Sequence, residues 1–208
     1  MQALKNNLII QFAKWPQLGK VKTRLAKTLG DNAALATHIE LTMNVLDNLT
    51  SASLAIVELW FDQLSENSEA QDLIDACRNK SVTVSTQHGS DLGERMYHAL
   101  SSGLESFDKV IIVGSDCPTV DKAYLVGAIN ALDSNDLVLG PAEDGGYVLL
   151  GASKVKPAML DNIEWGCGEV LRSTVSNAES LSLSCALLDT TWDVDEYEDY
   201  LRWSEASR

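Results

Sequence analysis

Short apolar runs alternate along the chain with longer stretches in which apolar residues recur every three or four positions. Residues 8–13 and 110–113 contain almost no polar position, which is typical of strands covered on both faces of a sheet. The stretches between such runs have the spacing of amphipathic helices. Because strand and helix alternate over the first two thirds of the chain, the pattern predicts an α/β fold with a largely parallel sheet.

The predicted elements begin and end at recognisable sequence signals. The predicted strands are residues 8–13, 54–61, 82–84, 109–114, 137–141, 147–151 and 185–188. The predicted helices are residues 21–29, 31–49, 70–78, 92–105, 122–132, 157–160 and 169–178, and the acidic segment 193–201 opens a terminal helix. Gly30 can end the first helix, and Asp31, Asp91 and Asp121 carry side chains that cap helix amino ends.

The sequence contains no internal repeat and no linker that would separate domains, so residues 1–208 are predicted to form a single domain. No run of ~18 apolar residues predicts a membrane span. The first residues lack the long apolar region of a secretory signal, and we therefore expect a cytoplasmic protein with no membrane partner. The four cysteines are scattered without a C-x-x-C pair, which favours free thiols over a zinc site or disulfides.

Acidic residues outnumber basic ones by 30 to 16, and the formal charge is −14. This balance argues against a nucleic-acid surface, which needs a net basic face, but it permits a small anionic ligand. The basic residues are concentrated after the first predicted strand, in a segment that holds Lys14, Lys20, Lys22, Arg24 and Lys27. This basic loop is the first candidate for binding an anion.

Polar segments follow three of the predicted strands. The basic loop follows the first strand, residues 91–95 follow the third, and Asp116 follows the fourth. The carboxyl ends of parallel strands share one edge of a sheet, and open α/β folds bind their ligands at that edge. These segments are therefore predicted to converge.

Asp116 follows the buried run 110–113, after Gly114 and before the strand-ending Pro118. A magnesium ion on a nucleotide phosphate needs only one or two carboxylates besides phosphate oxygens and waters, which suits an aspartate at the end of a strand. The alternative is a solvated aspartate that caps a turn.

The basic loop indicates phosphate binding. Cations at the amino end of a helix interact unfavourably with its dipole, and a bound phosphate would offset this cost. The alternative is a solvated basic helix face. The P-loop pattern G-x-x-x-x-G-K-[ST] is absent. The dinucleotide fingerprint G-x-G-x-x-G is also absent, which argues against an oxidoreductase of that class.

Three further aspartates have structural alternatives to a functional role. Asp144 lies in an Asp-Gly-Gly turn, where conformation alone can explain it. Asp193 and Glu196 have capping-box spacing, so Asp193 is equally a candidate cap and a candidate ligand. Asp195 could favour the helix dipole or complete a metal site with Asp116.

Five motifs occur in order over roughly residues 8–203: F-A-K-W-P-Q-L-G-K-V-K-T-R-L, D-L-G-E-R-M, V-G-S-D-C-P, G-P-A-E-D-G-G-Y and W-D-V-D-E-Y-E-D-Y. With these motifs the chain resembles the uncharacterised GT-A-fold transferases that are sometimes labelled radical-SAM/selenodomain-associated transferases. The wider relatives of that family are the molybdenum-cofactor and phospholactate guanylyltransferases and the nucleotide-diphospho-sugar transferases.

The resemblance implies a three-layer α/β/α fold with a seven-stranded mixed sheet. It implies a nucleoside triphosphate or nucleotide-sugar over the first loop, with Lys22 and Arg24 facing the phosphates and Lys14 as a further candidate. It also implies a divalent metal, Mg²⁺ or Mn²⁺, on Asp116. The second acidic ligand in such relatives falls on Asp195.

We therefore expect a metal-dependent transferase that passes a nucleotidyl or glycosyl group from a nucleotide donor to an unknown small acceptor. The alternative is a non-catalytic nucleotide-binding or regulatory protein with the same fold. Asp116 and Asp144 are the candidate catalytic residues, the latter for orienting the acceptor, and Asp116 pairs with Asp195, or else Asp193, as candidate metal ligands. The candidate nucleotide-binding residues are Lys14, Lys20, Lys22, Arg24, Asp91, Gly93 and Arg95.

Overall fold

The computed structural model of the protein describes residues 6–65 and 68–206. Residues 1–5, on which the prediction of no secretory leader partly depends, lie outside the described residues. Within the described ranges, no helix combines the length and apolar character that a membrane crossing requires.

Seven strands form one mixed sheet whose order is β3-β2-β1-β4-β6-β5-β7. The strands are β1 Asn7–Ala13, β2 Ile56–Phe61, β3 Thr83–Thr86, β4 Lys109–Gly114, β5 Leu137–Pro141, β6 Tyr147–Ala152 and β7 Cys185–Leu187. Only β6 runs against its neighbours, because it pairs antiparallel with both β4 and β5, whereas all other pairs are parallel. The carboxyl ends of β1, β2, β3 and β4 therefore share one edge of the sheet.

Helices cover both faces of this sheet. They are α1 Thr23–Leu29, α2 Asp31–Ala52, α3 Gln71–Asn79, α4 Leu92–Gly103, α5 Lys122–Ala131, α6 Val170–Ser180 and α7 Tyr197–Ala206. Alternate residues of β1 enter different cores: Ile9 packs with α2, α3 and α5, and Leu8 and Ile10 pack with α4 and α6. This arrangement confirms the predicted three-layer α/β/α fold with a mostly parallel mixed sheet.

Several predicted element boundaries differ from the observed ones for local reasons. Residues 157–160 form turns rather than a helix. Gly30, with φ 80°, both ends α1 and precedes the first residue of α2, so Asp31 is inside the helix and does not cap it. By contrast, Asp91 and Asp121 each accept a hydrogen bond at 2.8 Å from a backbone N–H in the first turn of α4 and α5, as predicted.

Gly93 allows α4 to approach the loop that precedes α6. A Cβ atom at this position would lie 2.7 Å from the Leu160 carbonyl oxygen and 3.0 Å from Trp165 Cζ2. Gly93→Ala is therefore expected to lower the free energy of unfolding by about 1–3 kcal/mol, the usual cost of overpacking, in a chemical denaturation experiment.

The matched control is Gly127→Ala in α5, where the nearest atom to the new Cβ, Leu188 Cδ2, would be 3.8 Å away. This change should raise the free energy of unfolding by about 0.5–1 kcal/mol, because alanine is the better helix former. Equal stabilities of the two variants would contradict the close approach at Gly93.

Candidate functional site

The loop after β1 is held in place by side chains that follow the neighbouring strands. Asp62, directly after β2, accepts a hydrogen bond at 2.7 Å from the backbone N–H of Trp15. Gln87, directly after β3, donates to the carbonyl oxygen of Ala13 at 3.2 Å. The basic loop therefore leaves the sheet along a fixed path.

Lys22 is the most constrained residue of the basic loop. Its backbone has φ 46° and ψ 44°, the left-handed region that a residue with a side chain rarely adopts. Its side chain is only 5% exposed, and its Nζ donates to Asp116 Oδ2 at 2.7 Å and to the Val194 carbonyl oxygen at 2.5 Å. Backbone strain of this kind persists only where surrounding contacts fix it, and it is concentrated at functional sites.

The segment 193–195 is attached to Asp116 through the main chain. The N–H of Val194 donates to the carbonyl oxygen of Asp116 at 2.9 Å. The Val194 side chain is fully buried and packs with Leu41 of α2 and Trp203 of α7. Val194 is thus an anchored residue, and Asp193 and Asp195 lie on either side of it.

Asp116 and Asp195 are bridged by the Lys22 ammonium. Lys22 Nζ lies 3.9 Å from Asp195 Oδ1, in addition to its contact with Asp116. Arg24 Nη1 lies 2.5 Å from Asp195 Oδ2, in a pair whose two side chains are about half and more than a third exposed. The structure therefore brings together both predicted metal ligands and two of the predicted phosphate ligands.

The charges of this cluster alter the acidity of its members. Burial alone would raise the pKa of the Asp116 carboxyl, but the charge and hydrogen bond of Lys22 outweigh burial and hold the pKa below its ordinary value. Burial would likewise lower the pKa of Lys22, yet Asp116 raises it. For Asp193, burial and the neighbouring charges of Asp116 and Asp144 raise the pKa to about 7.

A cavity of about 410 Å³, the donor cavity, opens at this edge of the sheet. Its lining includes five of the residues singled out in the sequence: Lys14, Lys22, Arg95, Asp116 and Asp195. They come from the loops after β1 and β4, from the first turn of α4 (which follows β3) and from the segment before α7, so the convergence inferred from strand ends is found in the structure. The binding roles assigned to these residues stay predictions.

The other candidates occupy different positions. Arg24 lies beside the donor cavity, on Asp195, and Lys20 is exposed and absent from the cavity lining. Asp91 caps α4, and Gly93 is buried against Leu160. A structural contact thus accounts for both Asp91 and Gly93, and their part in nucleotide binding stays a prediction.

A second cavity, of about 260 Å³, adjoins the donor cavity. The two share Phe12, Leu92 and Gly114 in their linings. Asp144 and Asp193 both line this second cavity. Asp144 Oδ1 also accepts a hydrogen bond from the Gly146 N–H at 2.8 Å, so the aspartate shapes its own turn as well as facing the cavity.

The polar residues of the donor cavity that were not predicted from the sequence include His38, Asp62 and Gln87. His38 of α2 is buried, with Nε2 2.9 Å from the carbonyl oxygen of Lys14, and burial lowers its pKa. Its position in the middle of a long helical pattern carries no sequence signal for a site. Asp62 and Gln87 directly follow β2 and β3, so the rule about carboxyl ends could have identified them.

Asp193 does not cap α7. The helix begins at Tyr197, and Asp199 accepts from the backbone N–H groups of Asp195 and Glu196 at 3.1 and 2.8 Å. The capping-box interpretation of Asp193 and Glu196 is therefore wrong, because Asp199 provides the acceptor. Asp193 instead faces the second cavity.

Within residues 6–65 and 68–206, no group of three or more histidine, cysteine, aspartate or glutamate side chains is arranged to hold a metal ion. The acidic pair Asp116 and Asp195 is complemented in the structure by the Lys22 ammonium.

The protein is an α/β/α protein with a charged cavity at the carboxyl edge of its parallel strands, which is where open α/β sheets bind their ligands. The chain belongs to the family described as "Uncharacterized protein conserved in bacteria (DUF2064)", whose model matches residues 45–167. No curated protein matches the sequence significantly.

Solved structures with the same fold include proteins assigned as transferases. A protein of Desulfovibrio desulfuricans G20, assigned as a nucleotide-diphospho-sugar transferase, is 29% identical with a TM-score of 0.86, over 98% of this chain and 88% of that one. A nucleotidyl transferase from Methanothermobacter is 16% identical, with a TM-score of 0.61 and 96% of each chain covered. A Mycobacterium tuberculosis H37Rv protein in complex with manganese is 15% identical, with a TM-score of 0.55 over 96% of this chain and 98% of that one.

Proposed function

We propose that the protein is a metal-dependent transferase that binds a nucleoside triphosphate or nucleotide-sugar in the donor cavity and transfers a nucleotidyl or glycosyl group to a small acceptor. The observation that carries this proposal is the partly buried ion pair of Lys22 and Asp116 at the carboxyl edge of the sheet, in a cavity that Lys14 and Arg95 also line. The assignment of the Desulfovibrio relative as a nucleotide-diphospho-sugar transferase supports it.

The cations of the donor cavity suit a polyphosphate. Lys14 and Lys22 reach it from the loop after β1 and Arg95 reaches it from the first turn of α4, and the Lys22 ammonium is already held in place by Asp116 and Val194. Preorganised cations stabilise the charge that develops on a pyrophosphate or nucleoside diphosphate leaving group. A phosphate oxygen can also accept a hydrogen bond from the Lys22 ammonium. This contact would release Asp116 from its ion pair.

The acidic pair fits a metal ion that binds together with the nucleotide. Magnesium and manganese are held by one or two carboxylates, with phosphate oxygens and waters completing the shell, and Asp116 and Asp195 would supply the carboxylates. The ion would neutralise phosphate charge. The manganese complex of the Mycobacterium relative supports such a role.

A thermal-shift panel of nucleoside triphosphates and nucleotide-sugars, with and without Mg²⁺ or Mn²⁺, tests the donor site. A donor at ~100 times its Kd should add ~2.7 kcal/mol to the free energy of unfolding, and we expect this increase only when the metal is present. A panel in which no nucleotide shifts the transition would contradict the proposal. Binding with no product across an acceptor screen would instead favour a regulatory nucleotide-binding protein.

A further inference from the structure

The second cavity differs from the donor cavity in charge. The donor cavity is lined by cations and carboxylates in equal number: Lys14, Lys22 and Arg95 against Asp62, Asp116 and Asp195. Among the described residues that line the second cavity, none is a lysine, arginine or histidine, whereas Asp144 and Asp193 bring carboxyl groups to it. Of these two adjoining cavities, the donor cavity therefore offers cations to a ligand and the second cavity offers only carboxyl groups.

Most of the remaining lining of the second cavity is apolar and aromatic. Phe12, Tyr147 and Trp165 form part of its wall, together with aliphatic residues of β6. Trp165 packs against α4, since its Cζ2 atom would lie only 3.0 Å from a Cβ atom at Gly93. An aromatic wall favours a ligand with a flat or ring-sized apolar body.

A negatively charged group has no partner in this cavity. A phosphate or carboxylate would lie beside the carboxyl groups of Asp144 and Asp193 without a compensating cation from the lining, and it would add negative charge to a partly dehydrated acidic site. A hydroxyl group can donate a hydrogen bond to either aspartate, and an ammonium group gains a favourable charge interaction as well.

We propose that the second cavity binds a neutral or cationic small molecule with a ring-sized apolar body, and that phosphorylated or carboxylated molecules are excluded from it by Asp144 and Asp193. That this molecule is the acceptor rests on the proposed function, because a site beside the donor cavity places it next to the transferred group. The chemical class of the ligand rests only on the lining of the cavity.

Three indole compounds that differ in charge test the inference: tryptamine, tryptophol and indole-3-acetate. Ligand-observed NMR titrations on the full chain should give measurable binding of tryptamine and tryptophol, and binding of indole-3-acetate at least tenfold weaker. Indole-3-acetate binding as tightly as the other two would overturn the inference, and so would the failure of all three to bind.

A pair of double variants assigns the discrimination to the cavity. The double variant Asp144→Asn, Asp193→Asn should bind tryptamine more weakly. The ratio of its affinities for tryptamine and indole-3-acetate should fall at least threefold, because asparagine keeps the oxygen that accepts the turn hydrogen bond and removes the carboxyl group. Glu105→Gln with Asp108→Asn makes the same change in net charge at exposed positions before β4, at the opposite edge of the sheet, and should leave the affinities unchanged. The assignment would be contradicted if the first double variant still bound tryptamine more tightly than indole-3-acetate to the original extent. It would also be contradicted if the second double variant lost this difference.

The two proposals can fail independently. If the indole series behaves as expected and no nucleotide binds, the ligand class inferred for the second cavity is supported. The interpretation of this cavity as an acceptor site is then contradicted. If nucleotides bind and the indole series does not discriminate, the donor site stands and the inference about the second cavity is wrong.

Discussion

Replacing Asp116 by alanine is expected to abolish the metal-dependent stabilisation by nucleotides. Asp116 is the residue at which the end of β4, the Lys22 ammonium and the 193–195 segment meet, so its removal takes away one of the two carboxylates available to a metal. A thermal-shift titration should therefore lose the ~2.7 kcal/mol that a donor at ~100 times its Kd provides.

The same change also affects the unliganded protein. Asp116→Ala leaves the Lys22 ammonium, 5% exposed, without its carboxylate. The cost should be less than the ~3–5 kcal/mol of a fully buried pair, because the Asp116 side chain is 32% exposed. Asp116→Asn keeps an oxygen acceptor for Lys22 and should restore part of this stability without restoring metal dependence.

Asp121→Ala is the matched control for Asp116→Ala. It removes a nearby carboxylate that caps α5, at a cost of about 1 kcal/mol, and lies outside the donor cavity. The metal-dependent shift should survive in this variant. If Asp116→Ala kept the full metal-dependent shift, Asp116 would not belong to the metal site. If Asp121→Ala also lost the shift, the loss in Asp116→Ala would not be evidence for a metal ligand.

Replacing Lys22 by methionine is expected to change metal and nucleotide binding in opposite directions. The Lys22 ammonium lies 2.7 Å from Asp116 and 3.9 Å from Asp195, so it already neutralises the pair that a divalent ion would need. Without it, Mn²⁺ alone should bind at least tenfold more tightly, a gain of about 1.4 kcal/mol, because the ion no longer competes with a resident cation. Nucleotide affinity should fall, because a phosphate ligand is lost.

Titration of the full chain with Mn²⁺, followed by electron paramagnetic resonance, measures the first effect, and a nucleotide titration measures the second. Lys27→Met removes the same charge from the exposed face of α1 and should change neither affinity appreciably. Unchanged Mn²⁺ affinity in Lys22→Met would mean that the ammonium does not compete with metal. Unchanged nucleotide affinity would remove Lys22 from the phosphate site.

The sequence predicted the fold and the convergence of the charged loops because both follow from strand patterns. Uninterrupted apolar runs identify the buried strands, and parallel strands place their carboxyl ends on one edge. The predicted seven-stranded mixed sheet came from family resemblance, and the structure confirms it. The reversal of β6 has its cause in the short Asp144–Gly146 turn, which joins β5 and β6 as neighbours.

The internal partners of the site residues could not be predicted in the same way. Lys22 was predicted as a phosphate ligand. Nothing in its local sequence indicates that the carbonyl oxygen of Val194, far along the chain, accepts a hydrogen bond from its ammonium group. Capping-box spacing made Asp193 equally a candidate cap and a candidate ligand, and in the structure Asp199 caps α7 instead. Such details depend on tertiary packing, which side-chain type and spacing do not encode separately.

The anchoring of Val194 has a consequence for when the site can exist. The central sheet positions Asp116. The segment 193–195 is positioned by a second contact, in which Val194 packs with Trp203 of α7 and Leu41 of α2. A nascent chain that has folded β1 to β6 would already have most of its core and only half of its charged cluster. Helix α7 is therefore the element that completes the charged cluster, and the protein should gain its ligand-binding competence only after α7 has packed.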